Sequence, residues 1–244
     1  MKKVLVIKGR SAYNVLRKAA DEIAEGFDAA GCETEVLDTQ AEDFPIQLTH
    51  CMEHREQYAF YFSLQAIGWE QECAALPQLR DMRRVGWLVD DPFFHEGRLV
   101  GSAGTGAYVL TVQDAFTQRI REMYSKFEEV KTLYHGGFSS ESVLPWEERE
   151  MDIFFPGSYT TREAAWEKLR AMDGVMGSVA QKVAQRLIQN GQTRTWDAEL
   201  RCYLQEIHFE MDENEFQTLL REFYPLDEFQ RVCMREQMLE TLLK

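Results

Sequence analysis

The sequence predicts an α/β fold, a Rossmann-like parallel sheet flanked by helices and followed by a mainly helical C-terminal region. Three observations predict it. Short apolar runs alternate with helical patterns through residues 1–150, and such alternation calls for crossover connections and parallel pairing. The run Val85-Gly86-Trp87-Leu88-Val89 is apolar at successive positions, as in a strand covered on both faces. Beyond residue 160, strand-like runs give way to apolar side chains at three-to-four spacing.

Val4–Lys8 reads as the first strand, leading to Gly9-Arg10-Ser11, with Ser11 placed to cap a helix. That helix carries Leu16, Ala20, Ile23, Phe27 and Ala30, and Gly31 closes it. Glu33–Leu37 is the second strand. Tyr58–Phe62 is the third, breaking at Ser63; its aromatic run reads as core. A mostly helical stretch, 65–82, leads to the strand at 85–89, which runs into Asp90-Asp91-Pro92. Proline cannot donate to a ladder, so pairing ends there.

Gly101-Ser102-Ala103-Gly104-Thr105-Gly106 precedes a strand instead of linking strand to helix, so it reads as a flexible connection and not a phosphate cradle. Ala107–Val112 follows, with Asp114 placed to cap a helix bearing Phe116, Ile120, Met123 and Phe127. Val130–Tyr134 is the sixth strand and ends at His135-Gly136-Gly137. Asp152–Pro156 is a further short strand, leading to Gly157-Ser158-Tyr159. Thr160-Thr161-Arg162-Glu163 has capping-box spacing. Helices are predicted over Val175–Ile188, Trp196–Ile207, Glu215–Phe223 and Leu226–Leu243, with Pro225 in a first turn. The division is therefore a Rossmann-like domain at 1–150, then a crossing strand plus helical region at 151–244.

With 45% hydrophobic and 28% charged residues, the composition is that of a globular chain, and no apolar stretch is long enough for a transmembrane segment. The net charge of −14 is spread over both halves without a basic stripe, which disfavours nucleic acid as a partner. Five cysteines without paired spacing fit a reducing, cytoplasmic setting. His50, Cys51 and His54 are the closest approach to a metal site, but no second pair with ligand spacing joins them, so no metal and no cofactor is assigned.

Ligands of open α/β sheets sit beyond the carboxyl ends of the strands. Those ends carry Gly9 and Arg10, Ser63 and Gln65, Asp90 and Asp91, Gln113 and Asp114, and His135 and Gly136. Asp90 and Asp91 could act as a general base, bind substrate hydroxyls, or hold a metal. Adjacent strand residues point to opposite faces, so one of them is expected to form the turn instead, and Asp91 is nearer the loop. His135 suits proton transfer near neutral pH, and the glycines after it let backbone approach a ligand. No Gly-x-Ser-x-Gly elbow or Gly-Lys-Ser/Thr phosphate loop is present. Lys8-Gly9-Arg10 stands where a phosphotransfer receiver would need acids.

Taken in order, Trp87-Leu88-Val89-Asp90-Asp91-Pro92, Leu133-Tyr134-His135-Gly136-Gly137 and Asp152-Ile153-Phe154-Phe155-Pro156-Gly157-Ser158-Tyr159 resemble the CgeB-like (spore-maturation-protein) glycosyltransferases. The resemblance implies a GT-B architecture of two Rossmann-like lobes, in which the amino-terminal lobe receives a hydroxyl-bearing acceptor. Residues 151–244 would begin the second lobe, whose remainder, outside these 244 residues, would complete the nucleotide-sugar donor site, and the chain alone would not turn over. Asp90 and His135 are then the catalytic candidates, with the strand-end residues Gly9, Arg10, Ser63, Gln65, Asp91 and Gly136, and Gly157, Ser158 and Tyr159 of the third motif, expected around the substrate. An inverting reaction would draw its base from this lobe; a retaining one would use the same groups to orient the acceptor. The competing expectation is a noncatalytic binding or scaffold protein whose helical tail engages a partner.

Overall fold

The computed structural model describes residues 2–11, 14–69, 82–102, 106–124, 126–134, 136, 145–148, 150 and 160–243. The chain divides into two compact units, Met1–Ser142 and Val143–Lys244.

Among the described residues, the first unit has six strands: β1 (Lys3–Lys8), β2 (Thr34–Asp38), β3 (Tyr58–Leu64), β4 (Arg84–Leu88), β5 (Ala107–Thr111) and β6 (Glu129–Thr132). All neighbouring pairs run parallel, in the order β2-β1-β3-β4-β5-β6. The α/β class read from the sequence is what the structure shows. Strand order reverses between β1 and β3, which makes their carboxyl ends the topological switch point.

Alternating side-chain direction gives the sheet two apolar faces. On one, Val4, Val6, Phe62 and Leu64 meet Ala20 and Ala24 of α1 (Val15–Ala29). On the other, Leu5, Ile7, Tyr61, Leu88 and Val109 pack with Leu48 of α2 (Phe44–Glu53), Leu99 of α3 (Glu96–Ser102) and Ile120 of α4 (Asp114–Met123). Leu5, Leu88, Leu99 and Ile120 are fully buried, and each contributes about 1.5–3 kcal/mol by leaving water. Both α2 and α3 went unread in the sequence. The first buries just Leu48 and Cys51, and the second is short and carries Gly97, so neither shows a long helical stripe.

A polar cluster ties α2 to the amino-terminal edge of the sheet. Tyr58 Oη donates to Glu35 Oε2 at 2.7 Å, and Cys51 Sγ lies 3.5 Å from Glu35 Oε1 and 3.4 Å from Tyr58 Oη. Burial is the main reason that the Cys51 thiol and the Tyr58 phenol both ionise above their ordinary ranges.

Several local expectations are corrected. β3 does not break at Ser63 but continues to Leu64, because Ser63 faces the core and pairs in the ladder. Ser11 does accept the Leu16 amide at 3.1 Å, yet the residue preceding α1 is Asn14, at φ 58°. Asp114 is the first residue of α4, not its cap; Gln113, in extended conformation, precedes it, and the Asp114 carboxylate is taken by β6 groups. The expected helix across 65–82 begins as a turn at 65–68, and 70–81 lies outside the described residues. The expected strand Asp152–Pro156 is outside them too.

The second unit is helical where described: α5 (Arg162–Arg170), α6 (Gly174–Gln189), α7 (Trp196–Glu206), α8 (Glu213–Glu222) and α9 (Pro225–Leu242). Thr161, one residue later than the capping-box reading, caps α5 by accepting the Ala164 amide at 3.1 Å. Trp166 packs on Phe229 with ring centroids 5.3 Å apart, joining α5 to α9. Between α6 and α7 the fully buried Glu199 is held by Arg186 Nε at 2.5 Å. A buried carboxylate is tolerable because it is paired.

Two glycines test the packing. A Cβ on Gly177 would lie 2.3 Å from the Met172 carbonyl oxygen, whereas one on Gly26, inside α1, meets nothing within 4 Å. Gly177→Ala should therefore destabilise the chain by about 1–3 kcal/mol. Gly26→Ala should stabilise it by about 0.5–1 kcal/mol, both read from urea unfolding.

Candidate functional site

The carboxyl edge of the sheet gathers charge in three places. At β1 and β2, Arg17 of α1 forms a bidentate pair with Asp38 at 2.9 and 2.6 Å. Hydrogen bonding from Arg17 holds the Asp38 carboxyl below the usual range. Lys8 pairs with Asp21 at 2.6 Å. Arg10 follows, exposed. Gly9 serves packing here: a Cβ on it would sit 2.3 Å from Ile67 Cδ1, so the turn after β3 closes over the switch point.

At β3 and β4 the strand ends are bridged by Gln65, which is 3% exposed. Its Oε1 accepts the Val89 amide at 3.2 Å, and its Nε2 donates to Asp90 Oδ2. Its own amide donates to the Trp87 carbonyl at 2.8 Å, and its carbonyl accepts Arg98 Nη1 at 2.9 Å. Gln65 and Ala66 lie at φ 56° and 52°, a left-handed conformation that costs roughly 1–2 kcal/mol per side-chain-bearing residue. Asp90 is exposed, and its Oδ1 makes no hydrogen bond among the described residues. Ser63, beneath this bridge, is fully buried, and its hydroxyl has no partner among the described residues.

Asp91 turns the other way. Its Oδ1 accepts the Phe93 amide at 3.0 Å, capping the turn Pro92–His95, and its Oδ2 pairs with Arg119 of α4 at 2.9 Å. Arg119 in turn lies over the Phe93 ring at 4.9 Å.

At β5 and β6, Thr111, Thr117 and Thr132 form a hydroxyl chain, with oxygen separations of 2.6 and 2.8 Å, that ends on Asp114. Tyr134 Oη also donates to Asp114, at 3.0 Å. These two donors, Thr132 first, hold the Asp114 carboxyl below its ordinary range. A cavity of about 440 Å3 opens beside them, lined by Asp114, Thr117, Gln118, Arg121, Lys131 and Thr132. The Trp87 indole reaches across β5 to donate to the Leu133 carbonyl at 3.1 Å.

Of the residues singled out in the sequence, Gln65 and Asp90 are thus in direct contact, Asp91 is spent on a cap and an ion pair, and Gly9 is covered by Ile67. Gly136 follows β6, with open space where a Cβ would stand. His135, Gly157, Ser158 and Tyr159 lie outside the described residues. Among those residues no group of three or more histidine, cysteine, aspartate or glutamate side chains could hold a metal ion. Likewise, no described helix is long and apolar enough to cross a membrane.

Two residues of this rim were missed, His95 and Arg98. A signal was present: Asp91-Pro92 is a capping residue followed by proline at a first helical position, which places His95 and Arg98 on successive turns after β4. Compared with known proteins, the chain matches no family model, no curated protein and no solved structure.

Burial, aided by Arg98, lowers the His95 pKa to about 4, and its Nε2 is buried without a hydrogen-bond partner among the described residues. In the unfolded chain histidine protonates near pH 6.5. Native stability should therefore be fully present above that pH and decline as pH falls toward 4, by up to about 3 kcal/mol. Urea unfolding across pH 4–7 checks this, and His95→Gln should flatten the decline.

Proposed function

We propose that the α/β unit is the acceptor-side lobe of a GT-B-type glycosyltransferase, which presents a hydroxyl acceptor to a sugar carried by a nucleotide donor on a second lobe. The observation that carries the reading is the bond from Trp87 to the Leu133 carbonyl. It joins the two described motifs that resemble the CgeB-like family, forty-six positions apart, and sets Asp90 and the start of the Leu133–Gly137 segment on one edge. Asp90 is the group that meets the acceptor hydroxyl, either as base or as hydrogen-bond acceptor. The unpaired rim oxygen and the paired cations nearby favour a neutral, hydroxyl-rich ligand over an anionic one.

NMR titration of the chain with the methyl β-glycosides of glucose, galactose and N-acetylglucosamine tests this. Shifts should centre on Gln65 and Val89–Asp91, and Asp90→Asn should weaken binding about ten-fold, as for loss of a charged hydrogen bond. In a chain extended by its donor lobe, the same substitution should lower kcat by about 10²-fold or more. Glycosides that leave the rim untouched, together with unchanged turnover, would remove Asp90 and the reading with it.

One observation favours the second reading, a noncatalytic binding or scaffold protein. Met234, Met238 and Leu242 stand exposed at four-residue spacing on α9. Under that reading the glycosides find no site, and Met238→Glu abolishes association with a partner while the sheet edge stays silent.

A further inference from the structure

We infer that Gln65 is a positioning residue that fixes the rotamer of Asp90 and directs its free oxygen outward. The inference rests on the reading of Asp90 as the group that meets the acceptor hydroxyl.

The carboxamide can be oriented in one way. The Val89 amide is a donor, so the atom facing it at 3.2 Å must be Oε1. Nε2 is then obliged to face Asp90 Oδ2. Both ends of a buried amide are thereby satisfied by consecutive residues of the same strand end. Asp90 is left with one oxygen committed to protein and one open to a ligand.

Gln65 itself is held from behind. Its amide donates to Trp87, its carbonyl accepts Arg98, and Ala66 is fully buried against Gly86. A left-handed pair without glycine, at φ 56° and 52°, persists when the surroundings over-determine it, and such pairs cluster at functional sites. Here the left-handed turn carries the chain away from β3 while aiming the Gln65 side chain across to β4. Glycine at position 65 would ease the turn and lose that aim.

Three variants of the 244-residue chain, titrated with methyl β-glucoside by NMR at pH 5 and pH 8, test the role. Gln65→Met removes the donor and should weaken binding about ten-fold at both pH values. In Gln65→Glu the carboxyl can donate to Asp90 when protonated and repels it when ionised. Its binding should approach that of the parent at pH 5 and fall away at pH 8, whereas the parent changes little. Asp90→Asn should weaken binding at both.

If Asp90→Asn binds as the parent does, the site reading itself fails. If Asp90→Asn weakens binding while both Gln65 variants match the parent at both pH values, the positioning role fails and the site stands. A measurement without variants at position 65 guards against misfolding. One Gln65 side-chain amide proton should resonate apart from its partner and move on Asp90→Asn. A Gln65 resonance indifferent to that change would overturn the inference.

Discussion

The rest of the sheet edge depends on how closely the turn after β3 folds onto the backbone of β4 at Gly86. A Cβ there would stand 3.0 Å from the Trp69 ring and 3.2 Å from Ala66 Cβ, so glycine alone fits without displacing them. That contact selects the register Ser63↔Gly86 and Leu64↔Trp87. A slip of one position would bring Val85 or Trp87 under the turn and send the apolar set of β4 to the wrong face. It would also part Gln65 from Asp90, since each is placed by the strand it follows. Register, turn and candidate site are one arrangement.

The same edge shows how a strongly acidic chain keeps its cations occupied. Lys8, Arg17 and Arg119 each hold an aspartate from another element. Pairs that are half-buried in this way hold better than exposed ones, which contribute little. Arg98 instead donates to the neutral Gln65 carbonyl, and Arg10 is exposed. Asp90 and Asp114 differ from these acids: Asp90 is exposed with an amide for a partner, and Asp114 accepts from two hydroxyls.

Much of this was legible in the sequence, for reasons that can be named. The unbroken apolar run of β1 reports burial on both faces of the sheet, and the helical spacing of Leu16, Ala20 and Ile23 reports the helix that covers one of them, so the fold class follows from them. Asp90 was found because a proline ended its strand, and the turn-forming role weighed for Asp91 matches the cap it makes. What stayed hidden was set by tertiary contact. Ser63 looks like a strand stop, but it is tolerated in the core opposite a glycine. Asp114 has the chemistry of a cap, yet Thr132 and Tyr134 claim its oxygens. Nothing local in Gln65 announces that its amide will span two strands.

The polar knot at the opposite, amino-terminal edge has a use of its own. Cys51 is wholly enclosed under α2, and its sulfur is held in the protonated state that alkylating reagents scarcely attack. Its thiol can be modified only as fast as α2 lifts from the sheet and Glu35 lets go. The rate of iodoacetamide labelling at that one atom therefore clocks the opening of this corner, with no foreign probe introduced.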